Sequence, residues 1–308
     1  MSPAPPAPML DVRRLRLLRE LAYRGTIAAV AEALTFTPSA VSQQLAALER
    51  EAGVALLERT GRRVALTPAG VALVRHAEAV LERLEQAAAE LAAARGDLSG
   101  TVRIGAFPTA TRAILPSALA ALAHGHPGLD PMVDEVDPAE VAPRLRAGEL
   151  DVALVHEYDF VPAEPDLALD AVPLLDEPMY LATIRPVSGE GDAAALLACR
   201  EEPWIASTPG TLCHAMTVRA CQAAGFSPRV RHHIDDFATA LAMVAVGQGV
   251  ALVPELGAAD PPEDVTLTAL SMRRRTRVAF RRGAGDHPAV VALIAALRVA
   301  TSHVRTPG

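Results

Sequence analysis

Apolar residues recur at helical spacing near the start of the chain: Leu10, Leu15, Leu17, Leu18 and Leu21 fall close to one face, and Gly25 ends the run. Thr26 is placed to cap a second, Ala-rich helix over 27–34. Thr35-Phe36-Thr37 then makes a short turn, with Thr37 as N-cap and Pro38 at the first position of a third helix, where a missing N–H would have no partner anyway. On that helix Val41, Leu45 and Leu48 form an inward i, i+4, i+7 stripe, which turns Ser39, Ser42, Gln43 and Gln44 outward. After Gly53, strand-like runs over 54–59 and 64–67 flank a basic turn at 60–63, the pattern of a hairpin. Thr67-Pro68 repeats the cap-then-proline start. Beyond Gly70 no Gly or Pro follows until Gly96, which predicts a helix of about 40 Å at ~1.5 Å per residue. Its Val74, Ala77, Leu81, Leu84, Ala88 and Leu91 alternate spacings of 3 and 4, a heptad seam suited to a partner helix, with packing within the same chain as the plain alternative.

Residues 96–100 read as a linker, after which strands and helices alternate. Strands are predicted over 101–105, 132–136 and 152–155, with helices over 113–123 and 138–147 between them, and this α/β alternation implies a parallel sheet. A second α/β set lies between about 162 and 267, with strands over 179–184, 204–206 and 230–234 and helices over 212–224 and 237–246; a last strand and helix fall within about 278–299. The run 237–254 has 18 residues without a charge, the lower limit for a membrane span. Gly247-Gln248-Gly249 interrupts it, so a buried helix, a glycine turn and a buried strand are expected there instead.

Composition narrows the classes. Apolar residues at 51% and charged residues at 21% exclude an unfolded chain, and 308 residues predict two or three domains. All 29 basic residues are Arg, so a Schiff-base lysine, a P-loop lysine and a kinase phosphate-pairing lysine are excluded. The net charge of −7 divides unevenly: residues 1–67 carry nine Arg against six acids (+3), and the rest carry 20 against 30 (−10). Such asymmetry fits a small basic module on an acidic body. Cys199, Cys213 and Cys221, at spacings of 14 and 8, match neither a redox nor a zinc pattern, which points to a reducing compartment. Residues 1–8 have neither a basic nor an apolar signal-peptide region, so a cytoplasmic, nucleoid-associated location is expected. His232 and His233 are adjacent on a strand and would face opposite sides, so no metal site is expected. Arg273-Arg274-Arg275 and Arg281-Arg282 flank a strand and are expected on a solvated edge.

Two short helices joined by a tight turn make a helix-turn-helix, whose second helix enters the major groove of double-stranded DNA. Thr37, Pro38, Ser39, Ser42, Gln43 and Gln44 stand at the N-terminal part of that helix, where hydroxyls and amides suit base edges or phosphates. Arg59, Arg62 and Arg63 at the hairpin suit phosphate. An ordinary solvated surface is the plain alternative for both sets. The stretch GTIAAVAEALTFTPSAVSQQLAALEREAGVALLERTGRRVALTPAG, residues 25–70, resembles the winged helix-turn-helix of LysR-type transcriptional regulators. The likeness rests on the Ala-rich second helix, Ser39-Ala40-Val41-Ser42, Leu48-Glu49 with Gly53, Arg59 with Arg62-Arg63, and Leu66-Thr67 before Gly70. Thr37-Pro38 stands where the family usually has Ser-Gln, and Leu57 where it usually has Phe. GELDVALV over 148–155 and VAVGQGVALVPE over 244–255 are similar to landmarks of the family's effector domain.

The resemblance implies an α/β fold class with an N-terminal winged helix-turn-helix over 1–66 and a long linker helix over 67–97, through which a homodimer or homotetramer forms. It implies a two-lobed, type 2 periplasmic-binding-protein-like effector domain over 98–308, with lobe I about 100–161 and 268–308, lobe II about 162–267, and a hinge near Phe160 and Leu267. A small-molecule effector would then sit between the lobes. Phe107, Thr109 and Thr111 open the first helix after the first strand, and Thr208, Gly210 and Asp235 stand similarly in the other lobe. Amides and hydroxyls there suit a carboxylate, so an organic acid or amino acid is expected. RNA polymerase is a further candidate partner; no membrane, cofactor or catalytic residue is expected. Two rival readings are a two-lobed enzyme and a solute-binding protein with a fused helical module. The first lacks any Ser-His-Asp order, paired-acid motif or reactive-Cys context, and the second lacks an export signal.

Overall fold

Asp11 caps the first helix, α1 (Val12–Arg24), by accepting the Arg13 amide at 2.7 Å. Thr26 and Thr37 do the same for α2 (Ile27–Ala33) and α3 (Pro38–Ala52), each through Oγ1 to an amide at 3.2 Å. The computed structural model describes residues 9–60, 63–96, 98–162, 165–187 and 190–304, excepting the side chains of 59, 60, 63, 303 and 304. Leu18, Val30, Val41, Leu45, Leu48 and Leu56 bury together and fix the three helices. A hairpin follows, β1 (Leu57–Thr60) against β2 (Arg63–Leu66), with Leu57 opposite Leu66. It starts later than position 54, since Val54 and Ala55 are exposed outside the pairing.

The long helix α4 (Pro68–Arg95) spans 28 residues, about 42 Å at ~1.5 Å per residue. Thr67 caps it by accepting the Gly70 amide at 3.1 Å. Gly70 is also where α4 passes the helix-turn-helix so closely that a Cβ would lie 2.2 Å from the Leu56 carbonyl oxygen. Part of the expected seam faces this contact. Val74 and Ala77 turn inward onto the helix-turn-helix core, and the exposed stripe becomes Val80, Leu84, Ala87 and Leu91.

The rest of the chain runs β3 (Gly100–Ala106), α5 (Pro108–Ala113), α6 (Leu115–Gly125), β4 (Leu129–Glu135), α7 (Pro138–Ala147), β5 (Val152–Tyr158) and β6 (Leu169–Thr183). It continues α8 (Asp192–Ala198), β7 (Pro203–Ala206), α9 (Leu212–Ala223), β8 (Arg229–His233), α10 (Phe237–Ala245), β9 (Val250–Pro254), β10 (Thr266–Arg281) and α11 (Pro288–Val304). The helix expected over 113–123 is two helices broken at Ile114, because Pro116 has no N–H to continue the ladder. The uncharged run resolves into α10, a glycine turn and β9, and no described helix is long and apolar enough to cross a membrane.

These strands form a sheet in the order β4-β3-β5-β10-β6-β9-β7-β8. Each end is parallel, as the alternation implied, but β6 and β10 run antiparallel through the middle, so the sheet is mixed. Those two strands have 15 and 16 residues and carry the chain between two cores. Leu175 and Val278 pack with Ile104, Leu122, Leu154 and Leu293, whereas Met179 and Met272 pack with Tyr158, Trp204, Met216 and Leu252. Both strands therefore pass from one core to the other without a break, between 175 and 179 and between 272 and 278.

Candidate functional site

The N-terminal turns of α3 project a polar face. Thr37, Pro38, Ser39, Ser42, Gln43 and Gln44 are all exposed, while Val41, Leu45 and Leu48 are buried on the opposite side. Three of the side chains are already committed. Thr37 holds the Ala40 amide and shares a 3.1 Å contact with Ser39 Oγ, and Gln44 Oε1 accepts a hydrogen bond from Arg14 Nε at 2.9 Å. Ser42 and Gln43 are exposed on this face without a hydrogen bond to another described side chain. Arg62 lies outside the described residues, as do the side chains of Arg59 and Arg63; the backbone places 59 and 63 on the paired strands of the hairpin.

A second polar site lies between the two cores. A cavity of about 250 Å³ is lined where β3 meets α5 (Phe107, Pro108, Thr109) and where β4 meets α7 (Val136, Asp137, Pro138). Across it stand the β7–α9 junction (Ser207, Thr211, Leu212, Cys213) and the β8–α10 junction (Asp235, Asp236, Phe237), with His156 and Arg274 also lining it. All four junctions follow the carboxyl ends of parallel strands, where ligand crevices form in open α/β sheets. The rim carboxylates serve the helix starts: Asp137 accepts the Ala139 amide, and Asp236 accepts the Thr239 amide, both at 2.8 Å. The Thr239 bonds hold the Asp236 carboxyl below its usual range.

The lining supplies unmet donors. Arg274 is 1% exposed and sits in register between Tyr158 of β5 and Glu177 of β6. Its Nε donates to Glu177 Oε1 at 2.7 Å, and the other Glu177 oxygen accepts the Leu256 amide, also at 2.7 Å. Arg274 Nη2, Thr109 Oγ1 and both His156 ring nitrogens are buried without a hydrogen-bond partner in this structure. Burial, reinforced by the Arg274 charge, pushes the His156 pKa well down, so the ring is neutral between the edges of Phe107 and Tyr158, at 4.6 and 5.2 Å between centroids. Leaving such donors unmet costs about 1–3 kcal/mol each, which a ligand that accepts from them recovers. Cys213 also lines the cavity, 3.1 Å from the Tyr158 hydroxyl. Burial raises its thiol pKa, opposed by the Tyr158 hydrogen bond and by Arg274.

Of the residues singled out from the sequence, Phe107, Thr109 and Asp235 line this cavity; Thr111, Thr208 and Gly210 do not. Thr111 Oγ1 donates to the Phe107 carbonyl oxygen, and Thr208 gives both its amide and its hydroxyl to Asp235 at 2.8 and 2.7 Å. Arg274 corrects the expectation of a solvated arginine edge. Successive strand residues alternate faces, so Arg273 and Arg275 reach the surface carboxylates Asp176 and Asp159 while Arg274 turns inward. Three arginines in one strand carried that signal. His156 and Cys213 gave none.

Residues 12–71 match the family model for the bacterial regulatory helix-turn-helix protein of the lysR family, and residues 95–301 match that for the LysR substrate binding domain. A probable hydrogen peroxide-inducible genes activator of Mycobacterium avium is 34% identical over 244 residues, covering 78% of this chain and 76% of the relative. Among solved structures, a cysteine-to-serine variant of Corynebacterium glutamicum OxyR with hydrogen peroxide bound superposes with a TM-score of 0.58 at 25% identity, over 96% of this chain and 94% of that one. Full-length CbnR complexed with its target DNA gives 0.52 at 26% identity, over 94% and 100%. A helix-turn-helix at one end, a substrate-binding domain over the remainder and regulators among its relatives lead to one conclusion: the chain belongs to the LysR family of transcriptional regulators.

Proposed function

We propose that this regulator reads operator DNA in the cytoplasm through Ser42 and Gln43 of α3, with the hairpin arginines on the phosphates. It assembles through the α4 stripe of Val80, Leu84, Ala87 and Leu91, and it alters its DNA contacts when a small oxidant of the hydrogen peroxide class reaches Cys213. The observation that carries the oxidant reading is the Cys213 thiol opening on a cavity lined by the unpartnered Thr109 Oγ1 and Arg274 Nη2. The relatives named as peroxide-inducible activators support it. In the reaction the thiolate sulfur attacks one peroxide oxygen, an S–O bond forms and the O–O bond breaks. The departing hydroxide takes up the thiol proton and leaves as water, giving a sulfenic acid. Arg274 and Thr109 supply the donors a departing oxygen needs. Burial keeps the thiolate a minor species, so the response is slow compared with that of an exposed low-pKa cysteine.

A disulfide is not the expected product. Cys213 and Cys221 lie eight residues apart on one helix, about 12 Å at ~1.5 Å per residue, beyond the ~7 Å Cα limit for a bridge. Burial raises the Cys199 and Cys221 thiols to about 11 and about 12, which leaves little thiolate on either at neutral pH. The organic acid or amino acid expected from the sequence is the second reading, favoured by the free guanidinium nitrogen of Arg274.

Treating the full chain with hydrogen peroxide and trapping sulfenic acid with dimedone tests the first reading by mass spectrometry. The expected result is an adduct on Cys213 and none on Cys199 or Cys221, together with altered DNA binding that Cys213→Ser abolishes. Altered DNA binding without a Cys213 adduct overturns it. A carboxylate screen by thermal shift, with stabilisation lost in Arg274→Met, would then establish the second.

A further inference from the structure

Helix α7 is engaged at both ends, and the ends serve different parts of the molecule. At its start Val136, Asp137 and Pro138 line the interlobe cavity. Ten residues on, about 15 Å away at ~1.5 Å per residue, it closes on Gly148 and meets the helix-turn-helix. Arg16 of α1 donates through Nη2 to the carbonyl oxygens of Ala147 at 2.6 Å and Arg146 at 3.3 Å. Arg19 Nη2 reaches the Arg146 carbonyl oxygen at 3.2 Å, and Arg24 Nη2 the Pro143 carbonyl oxygen at 3.4 Å. The last carbonyls of a helix have no partner within it and form the negative end of its dipole, so Arg16 and Arg19 complete α7, with Arg24 on a carbonyl one turn earlier.

The buried charges at this contact each keep a partner on their own side. Glu20 is fully buried and is held on its own helix by Arg19 at 2.9 Å and Arg24 at 3.0 Å. Arg146 pairs with Asp166 on its own lobe and lies 4.1 Å above the Tyr23 ring, with its Nε 3.7 Å from Glu20 Oε1. Opening the contact breaks the Arg146–Glu20 pair and the Tyr23 contact, but Arg19 and Arg24 stay on Glu20 and Asp166 stays on Arg146, so neither is left a bare charge. A second attachment holds α4 to lobe I. Arg281 Nε donates to Glu85 Oε1 at 2.8 Å, and Gly283, at φ +89°, lies so near that a Cβ there would be 2.5 Å from the Glu82 carbonyl oxygen.

We infer that α7 is a strut that carries the state of the interlobe cavity to α1 and so sets the spacing at which the two recognition helices of an oligomer meet DNA. The inference rests on the cavity being the effector site and α3 the DNA-reading helix. Pro143 removes one amide from the ladder of α7, but the ten-residue helix stays continuous across it and does not shorten, so a displacement of its cavity end is delivered to the arginines at the other. Arg16, Arg19 and Arg24 are thereby positioning residues for operator geometry, although none is on the recognition helix.

The first arm of the test uses a duplex selected by the full-length protein from a random-sequence library, then rebuilt with its half-sites about half a helical turn further apart. The native protein is expected to lose about tenfold or more in affinity on that change, and Arg16→Ala/Arg24→Ala less than about threefold, with equal affinities for an isolated half-site. Identical spacing dependence in the two proteins overturns the inference. The second arm needs no DNA: hydrogen exchange of full-length Asp137→Ala, altered only at the cavity end. Faster exchange is expected over 12–24 as well as in α7, with α3 unchanged, and an effect confined to α7 overturns the strut. Failure to select any duplex sinks the DNA reading instead, while the exchange arm still decides the strut.

Discussion

Removing Glu177 is expected to expose how the interlobe cavity is held together. Its side chain is fully buried at the point where β6 and β10 cross, with one oxygen on Arg274 Nε and the other on the Leu256 amide. Glu177→Leu leaves the Arg274 guanidinium buried without a counter-charge, a loss of about 3–5 kcal/mol. For a domain of this size each kcal/mol shifts the melting temperature by about 2–4 °C, so a fall of about 6–20 °C is expected. Arg274→Met alone leaves the carboxylate bare and is similarly costly. Glu177→Leu/Arg274→Met replaces the pair with apolar side chains of similar volume and is expected to recover most of the loss. Trp204, the single tryptophan of the chain, is buried in the neighbouring core and reports unfolding of this domain by fluorescence. The reasoning is refuted if Glu177→Leu costs less than about 1 kcal/mol, or if the double variant is no more stable than either single one.

Three further outcomes are expected. Arg62→Ala/Arg63→Ala weakens binding to every DNA sequence and lowers the salt slope by roughly one to two units; an unchanged slope removes the hairpin from the phosphates. Leu84→Glu/Leu91→Glu places charge on the exposed stripe of α4 and dissociates the oligomer, so sedimentation at the native size would place the interface elsewhere. Because burial lowers the folded-state pKa of His156, the unfolded chain alone gains this proton below the ordinary value near 6.5. The His156 contribution is therefore complete above pH ~6.5 and is lost by up to about 1.4 kcal/mol per pH unit below it. Urea midpoints at pH 7 and 5.5 are expected to differ more in the native protein than in His156→Phe, and equal differences contradict that burial.

The first 96 residues were the most legible because each element there carries its own local signal: Thr26, Thr37 and Thr67 cap, Pro38 and Pro68 start, and Gly25, Gly53 and Gly96 stop. Val74 and Ala77 of the heptad pattern pack on their own helix-turn-helix, a contact that such a pattern cannot separate from contact with a partner. The passage of β6 and β10 between the two cores was hidden for a different reason. In β6 and β10 a single strand serves two cores in succession, and neither composition nor a turn residue marks the change. Thr109 was found at the cavity from its place after a strand, but Thr208, at the equivalent place, turned to Asp235 because a neighbouring carboxylate satisfies it locally. Cys213 and His156 reach the cavity through tertiary packing, for which the sequence offers no periodicity.

Hydroxyl-radical footprinting of the full-length protein on the DNA flanking its own gene bears most directly on the central claim. The account predicts two protected half-sites separated by about 10–10.5 base pairs or a multiple of that, a loss of about 1–3 kcal/mol for Gln43→Ala at its contacted base, and a pattern that shifts with hydrogen peroxide unless Cys213 is serine. Uniform, sequence-independent protection, unaffected by Gln43→Ala, would contradict it.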